Sequence, residues 1–249
     1  MNTIFLLELG LAFVLEIIVV SLVFYRRSQG RFVLFTLYIA LSLPATLSRL
    51  LTINDYHLYF IVYWSTNALL LLLGLAAVHE IFRKIYSGFY EFRWFRLAYY
   101  GAIIFILFVA AKNAIVNPPV QSHPVIAVIV TVGITINLLQ AGIAALFGVL
   151  TKPFGISHRR YAFGIMAGFA VSSLVPFAGY FARSVFGTKL DPVTQNVPAV
   201  AYILGLLIWL AAFIKPEADE ASSPPMSPDN MLAIVHSYLG ALRGKRKEC

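Results

Sequence analysis

The stretch Ile4–Tyr25 reads IFLLELGLAFVLEIIVVSLVFY and is followed at once by Arg26 and Arg27. Its length matches the roughly 20 apolar residues that a helix needs to cross a bilayer. Bilayer hydrocarbon offers no partners to backbone N–H and C=O groups, so such a run must satisfy them internally as a helix. The stretch therefore predicts a first transmembrane helix.

Six further apolar runs of similar length follow along the chain. They are Phe32–Ile53, Leu58–Phe82, Leu97–Val116, Val125–Leu150, Tyr161–Phe186 and Pro198–Ile214. The chain of 249 residues is 60% hydrophobic and only 12% charged, whereas a soluble domain carries about 25% charged residues. The sequence predicts an all-α polytopic membrane protein with a seven-helix bundle over residues 1–215.

Basic residues mark one side of this predicted bundle. Most of the 19 Lys and Arg residues lie in the first, third and fifth loops and in the tail. The opposite side has only Arg49, Lys112, Arg183 and Lys189 at or near it. The basic side of a membrane protein is cytosolic, which predicts a plasma or inner membrane protein with its N-terminus outside and its C-terminus in the cytosol. This placement also accounts for the net charge of +8 without nucleic-acid binding.

The composition changes after Lys215. Residues 216–227 form an acidic linker rich in Pro and Ser, and residues 228–249 form an amphipathic segment with a basic end. Apolar residues at helical spacing predict a short cytosolic helix over residues 228–243. This helix would lie on the membrane, pack under the bundle or bind a protein partner.

Charged residues near the outer ends of the spans form a first candidate site. Counting about 1.5 Å of rise per residue places them roughly 5 to 6 Å below the outer surface. They are Glu8, Arg49, Lys112 and Arg183. One interpretation is a pocket for an anionic or zwitterionic ligand, and the other is long side chains reaching to the interface, with Glu8 and Arg49 as an ion pair.

Glu16 is the centre of a second candidate site because it lies about 18 Å deep, near the middle of the bilayer. Asn67, Asn137 and Ser173 lie at about 14, 18 and 20 Å on other spans. Ionisable residues at such depth are costly and mark functional sites. These four residues form either a proton or ligand site or a set of interhelical hydrogen bonds.

Known catalytic and cofactor patterns are missing from the sequence. His79-Glu80 begins like a zinc-protease motif but lacks its second His, which leaves an interfacial pair beside Arg83 and Lys84. The last span has no lysine for a retinal Schiff base, and the aspartates fall in loops or the tail. We therefore assign no catalytic residue, no metal and no cofactor.

One resemblance bears on function. The stretches Tyr63–Asn67 (YWSTN) and Val78–Arg83 (VHEIFR) resemble a pattern in uncharacterised bacterial seven-span proteins. The span layout is similar to the seven-span input modules of bacterial sensor kinases. This resemblance implies a receptor-like or sensory membrane protein without its own output domain, acting through cytosolic or membrane partners. A small-solute or proton-coupled transporter using Glu16, an accessory subunit of a membrane complex, and a lipid-modifying enzyme are the alternatives.

Overall fold

The computed structural model describes residues 3–116, 124–151, 160–186 and 196–216. Seven helices in this part of the chain are long and apolar enough to cross a membrane, and one short helix joins two of them. The prediction of an all-α, seven-span membrane protein is confirmed. The helices are α1 (Thr3–Tyr25), α2 (Val33–Thr52), α3 (Tyr56–Ile85), α4 (Ser87–Glu91), α5 (Arg93–Val116), α6 (Pro124–Thr151), α7 (Arg160–Phe186) and α8 (Val197–Ile214).

Successive long helices run in opposite directions. We call the end of the bundle where α1, α3, α6 and α8 begin the N-terminal face, and the other end the C-terminal face. The helix α3 is longer than the predicted span Leu58–Phe82. It begins early because the Asp55 carboxylate accepts a hydrogen bond of 3.0 Å from Leu58 N and caps the first turn.

The helices α7 and α8 pack most closely, and small residues explain why. A Cβ on Gly168 would overlap the indole of Trp209, and a Cβ on Gly164 would overlap Ala212 Cβ. The fully buried Trp209 also donates a hydrogen bond of 3.1 Å to Ile165 O. Small residues spaced four apart let helices approach in this way within membranes.

The half of the bundle toward the C-terminal face is filled by aromatic side chains. Phe35 lies 5.3 Å from Trp209 and 5.9 Å from Phe213 between ring centroids, while Phe169 lies 5.1 Å from both Trp209 and Tyr38. All five side chains are buried. We call this group the aromatic layer, and it leaves the interior toward the N-terminal face less filled.

Arginine side chains cap the end of α8 at the C-terminal face. Arg26 donates to the carbonyl oxygens of Phe213, at 3.2 Å, and of Ile214. Arg160 donates to Ala211 O at 2.9 Å. Cations at a helix C-terminus satisfy its unpaired carbonyl groups. The predicted linker beyond Pro216 and the predicted tail helix 228–243 lie outside the described residues and stay predictions.

Large apolar side chains cover the outside of the bundle. Leu97, Ile104, Phe105 and Phe108 on α5 are each at least 66% exposed. A soluble protein rarely exposes so much contiguous apolar surface, whereas lipid solvates it. The chain is thus a multi-pass membrane protein whose helices contact the bilayer.

Candidate functional site

A cavity of about 400 Å³ lies among α1, α2, α3, α6, α7 and α8. Residues near the N-terminal face, such as Glu8 and Asn196, line its outer part. Gly74, Gln140 and Phe169, near the middle of their helices, line its inner end. The cavity thus reaches from the N-terminal face to about half the depth of the bundle, where the aromatic layer begins.

Glu16 lies in the wall of this cavity and is fully buried. Its Oε1 accepts hydrogen bonds from the hydroxyl of Tyr202 at 2.6 Å and from Thr46 Oγ1 at 3.2 Å. Its Oε2 has no hydrogen-bond partner among the described residues. One carboxyl oxygen therefore accepts hydrogen bonds from two neighbouring helices, and the other is an unsatisfied acceptor beside a cavity.

The cavity brings together the whole predicted deep site, since Asn67, Asn137 and Ser173 line it with Glu16. None of the three bonds to Glu16, however. Ser173 Oγ instead donates to Gln140 Oε1 at 2.6 Å. The position of a residue along a span predicts its depth in the membrane but not the helix that its side chain faces. Because α1 packs beside α2 and α8, the hydrogen-bond partners of Glu16 come from those two helices. Whether these residues form a functional site stays a prediction.

Sequence reasoning missed three residues of this region. Gln140 is buried, and it is accommodated because Gly74 has no side chain; a Cβ there would lie 2.8 Å from Gln140 Nε2. Its position three residues after Asn137 in an apolar run could have revealed it. Thr46 and Tyr202 gave no such signal, because hydroxyl side chains in spans are common.

The structure divides the predicted outer layer. Glu8 and Arg49 both line the cavity, but no ion pair joins them. Arg49 instead donates from Nε and Nη2 to Thr66 Oγ1 at 3.0 and 2.8 Å, and its guanidinium carbon lies 5.0 Å from the ring centroid of Tyr63. Lys112 is exposed on α5, away from the cavity. The side chain of Arg183, the fourth predicted member, lies outside the described residues.

The pair His79 and Glu80 lies near the C-terminal end of α3, where Glu80 stabilises the fold. The Glu80 carboxylate accepts from Val33 N at 3.1 Å and Leu34 N at 2.8 Å, and Lys84 Nζ lies 2.7 Å away. Glu80 therefore caps the start of α2 from a neighbouring helix. Within the described ranges, no three His, Cys, Asp or Glu residues lie together as a metal site would require.

We expect Glu80→Ala to lower the free energy of unfolding by about 1 to 2 kcal/mol, because two backbone donors of α2 lose their acceptor. Glu91→Ala is the matched control, since Glu91 is an exposed carboxylate on the neighbouring α4. Denaturant titration of the purified protein in detergent measures both. Equal stability of the two variants would contradict the capping role.

Fold and cavity together define a class: an integral seven-helix membrane protein with a cavity inside its bundle that is lined by both polar and apolar side chains. Comparison with known proteins does not narrow this class to a family. No protein-family model matches the chain, and no solved structure matches it. The chain is 32% identical over 98 residues to a protein of Arabidopsis thaliana named Protein NRT1/PTR family 5.13. That similarity covers 39% of this chain and 17% of the plant protein.

Proposed function

We propose that this chain is a receptor-like membrane protein that binds a small polar solute in the cavity beside Glu16. The observation that carries the proposal is the unfilled Oε2 of Glu16 in the wall of the cavity. A buried polar atom without a partner costs roughly 1 to 3 kcal/mol. A bound solute or water supplies that partner, and the volume of about 400 Å³ suits a small molecule.

Closure of the cavity toward the C-terminal face supports reception rather than passage. The aromatic layer fills the interior between the cavity and the C-terminal face. A solute that enters from the N-terminal face therefore stops about halfway through the bundle. A bound solute would bridge α1, α3 and α6 and so change their relative stability, which a cytosolic or membrane partner could read. The resemblance to sensor-kinase input modules supports the same function.

The test is a screen of small polar solutes for those that raise the Tm of the purified protein. The variant Asn67→Leu removes a polar group from the cavity wall, and Ser65→Leu is its matched control on the exposed side of the same helix. We expect at least one solute to stabilise the parent and Ser65→Leu but not Asn67→Leu. A screen without stabilising solutes, or equal stabilisation of both variants, would refute the site.

Transport is the second candidate, and prolines in two helices favour it. Pro44 lies inside α2 and Pro176 inside α7, where each removes a helical hydrogen bond. Pro176 also lines the cavity. Bending of α2 and α7 at these prolines would open a path through the aromatic layer. Glu16 would then serve as the solute or proton site of the transporter. Accumulation of a stabilising solute in proteoliposomes would establish transport and exclude simple reception.

We also propose the orientation, with the N-terminal face outside and the C-terminal face in the cytosol. Reporter fusions test it, because reporters that are active only in one compartment read the location of each loop. Fusions after Gln29, Ser87, Ile156 and Ser222 should report cytosol, and fusions after Asp55, Ser122 and Gln195 should report outside. A cytosolic signal after Ser122 would contradict this arrangement.

A protein partner would bind at the C-terminal face in this proposal. The predicted helix 228–243 is the candidate contact, and the same helix would serve an accessory subunit of a membrane complex. Deleting it should abolish co-purification of a partner while the bundle still inserts. Aggregation of the shortened protein would instead show that the helix packs against the bundle.

A further inference from the structure

An acidic and a basic side chain border the cavity on neighbouring helices without touching. Arg49 lies three residues after Thr46, the α2 residue that donates to Glu16. Three residues correspond to a rise of about 4.5 Å toward the N-terminal face. Glu16 and Arg49 both line the cavity, yet no ion pair joins them. The cavity therefore separates a deep carboxyl group from a shallower guanidinium group.

Each of these groups has hydrogen-bonding capacity left over. A guanidinium carries five N–H donors, and those of Arg49 that have partners in the described part of the chain point to Thr66. Its Nη1 has no hydrogen-bond partner there. Glu16 likewise has an unfilled acceptor in Oε2. A ligand with a donor cation at one end and an acceptor anion at the other would fill both.

Aromatic rings provide the remaining wall. Tyr59, Tyr63 and Trp64 line the cavity from α3, and Tyr202 lines it from α8. Such rings bind apolar and aromatic groups, and their faces attract cations. The cavity thus combines an acidic and a basic side chain with an apolar surface.

We propose that the ligand of this site is a small zwitterion, an α-amino acid with an apolar or aromatic side chain. Its ammonium group donates to Glu16 Oε2, its carboxylate accepts from Arg49, and its side chain packs against the tyrosines and Trp64. Glu8, the other carboxylate of the cavity wall, lies toward the N-terminal face and favours the approach of the ammonium end. This inference rests on the proposed solute-binding function and specifies the class of solute.

The experiment measures binding to the full-length protein in lipid nanodiscs by its effect on the Tm. Each apolar or aromatic standard amino acid is compared with the amine that lacks the carboxylate and the acid that lacks the ammonium group. For L-phenylalanine these analogues are 2-phenylethylamine and 3-phenylpropanoate. We expect at least one amino acid to bind about tenfold or more tightly than either of its analogues, since each charged anchor contributes on the order of 1.4 kcal/mol, which is a factor of ten.

Variants assign the two ends of the ligand. In Arg49→Gln the preference for the amino acid over the amine should disappear, while the preference over the acid remains. In Glu16→Gln the opposite pattern should appear. Lys112→Gln removes an exposed cation away from the cavity and should keep both preferences. A variant that only misfolds would lose all binding, so the crossed pattern separates recognition from loss of structure.

Three results would overturn the inference. One is that none of the amino acids binds, another is that a single-charge analogue binds as tightly as its amino acid, and the third is that both variants keep the preferences of the parent. If other solutes stabilise the protein while amino acids do not, the solute-binding function stands and the zwitterion is wrong. If no solute of any class binds, both proposals fail.

Discussion

Replacing Gly168 by Ala is expected to lower the free energy of unfolding by about 3 kcal/mol, near the upper end of the usual cost of overpacking. The added methyl group would occupy the space of the Trp209 indole. Trp209 is fully buried among the aromatic layer and hydrogen-bonded to Ile165 O, so it cannot move aside without separating α7 from α8. Denaturant titration in detergent, followed by tryptophan fluorescence, measures the loss.

The control for this prediction is Gly148→Ala on α6. A Cβ at Gly148 meets nothing within 4 Å, so the same chemical change should not destabilise the protein and should raise its stability by up to about 1 kcal/mol through helix propensity. Gly164→Ala should behave like Gly168→Ala, because its methyl group would overlap Ala212 Cβ. If Gly168→Ala and Gly148→Ala unfold alike, close approach of α7 and α8 does not stabilise the bundle.

The seven spans could be predicted because lipid imposes one requirement on every segment that crosses it. Each apolar run must satisfy its own backbone, and a continuous run of about 20 residues can do so only as a helix. A local interaction accounts for one boundary that shifted. The Asp55 cap begins α3 two residues before the predicted start at Leu58, and this depends on a side-chain contact that apolar length does not reveal.

The partners of Glu16 could not be predicted because position along a helix gives depth and not direction. The equal depth of Glu16 and Asn137 favoured a contact between them, but they lie on helices that do not pack together. Which helices become neighbours depends on packing, and here on small residues such as Gly168 and Gly205. A Cβ added to Gly205 would lie 3.2 Å from Gly168 O. The spacing of small residues is visible in the sequence, whereas the helix that they meet is not.

The suggested ion pair between Glu8 and Arg49 illustrates the same limit. Both residues line one cavity as the sequence suggested, but Arg49 donates to Thr66 and packs over Tyr63. Neutral hydroxyl and aromatic partners hold this cation in place without neutralising it. Opposite charges at a similar predicted depth on two spans therefore predict a shared region better than they predict a direct contact.

The second large effect concerns Glu16. We expect Glu16→Leu to lower the free energy of unfolding by about 2 kcal/mol, because the half-buried hydroxyl of Tyr202 and the buried hydroxyl of Thr46 lose their common acceptor. Removing both members of a pair costs less than stranding one of them. The double variant Glu16→Leu, Tyr202→Phe should therefore be more stable than Glu16→Leu alone. If the second change lowers stability further, the Tyr202 hydrogen bond is not what Glu16 contributes.

The variant Glu16→Gln distinguishes the structural role of Glu16 from its role in ligand binding, because it changes only one of the two carboxyl oxygens into a donor. The amide oxygen of Gln can still accept from Tyr202 and Thr46, so stability should stay within about 0.5 kcal/mol of the parent. The second carboxyl oxygen, which has no partner among the described residues, becomes an NH₂ donor. A solute that donates to it would then be repelled. We expect this variant to unfold like the parent without ligand and to show a smaller solute-induced rise in Tm than the parent. If Glu16→Gln retains the full stabilisation, Glu16 only links α1 to α2 and α8, and the solute is held by other residues of the cavity.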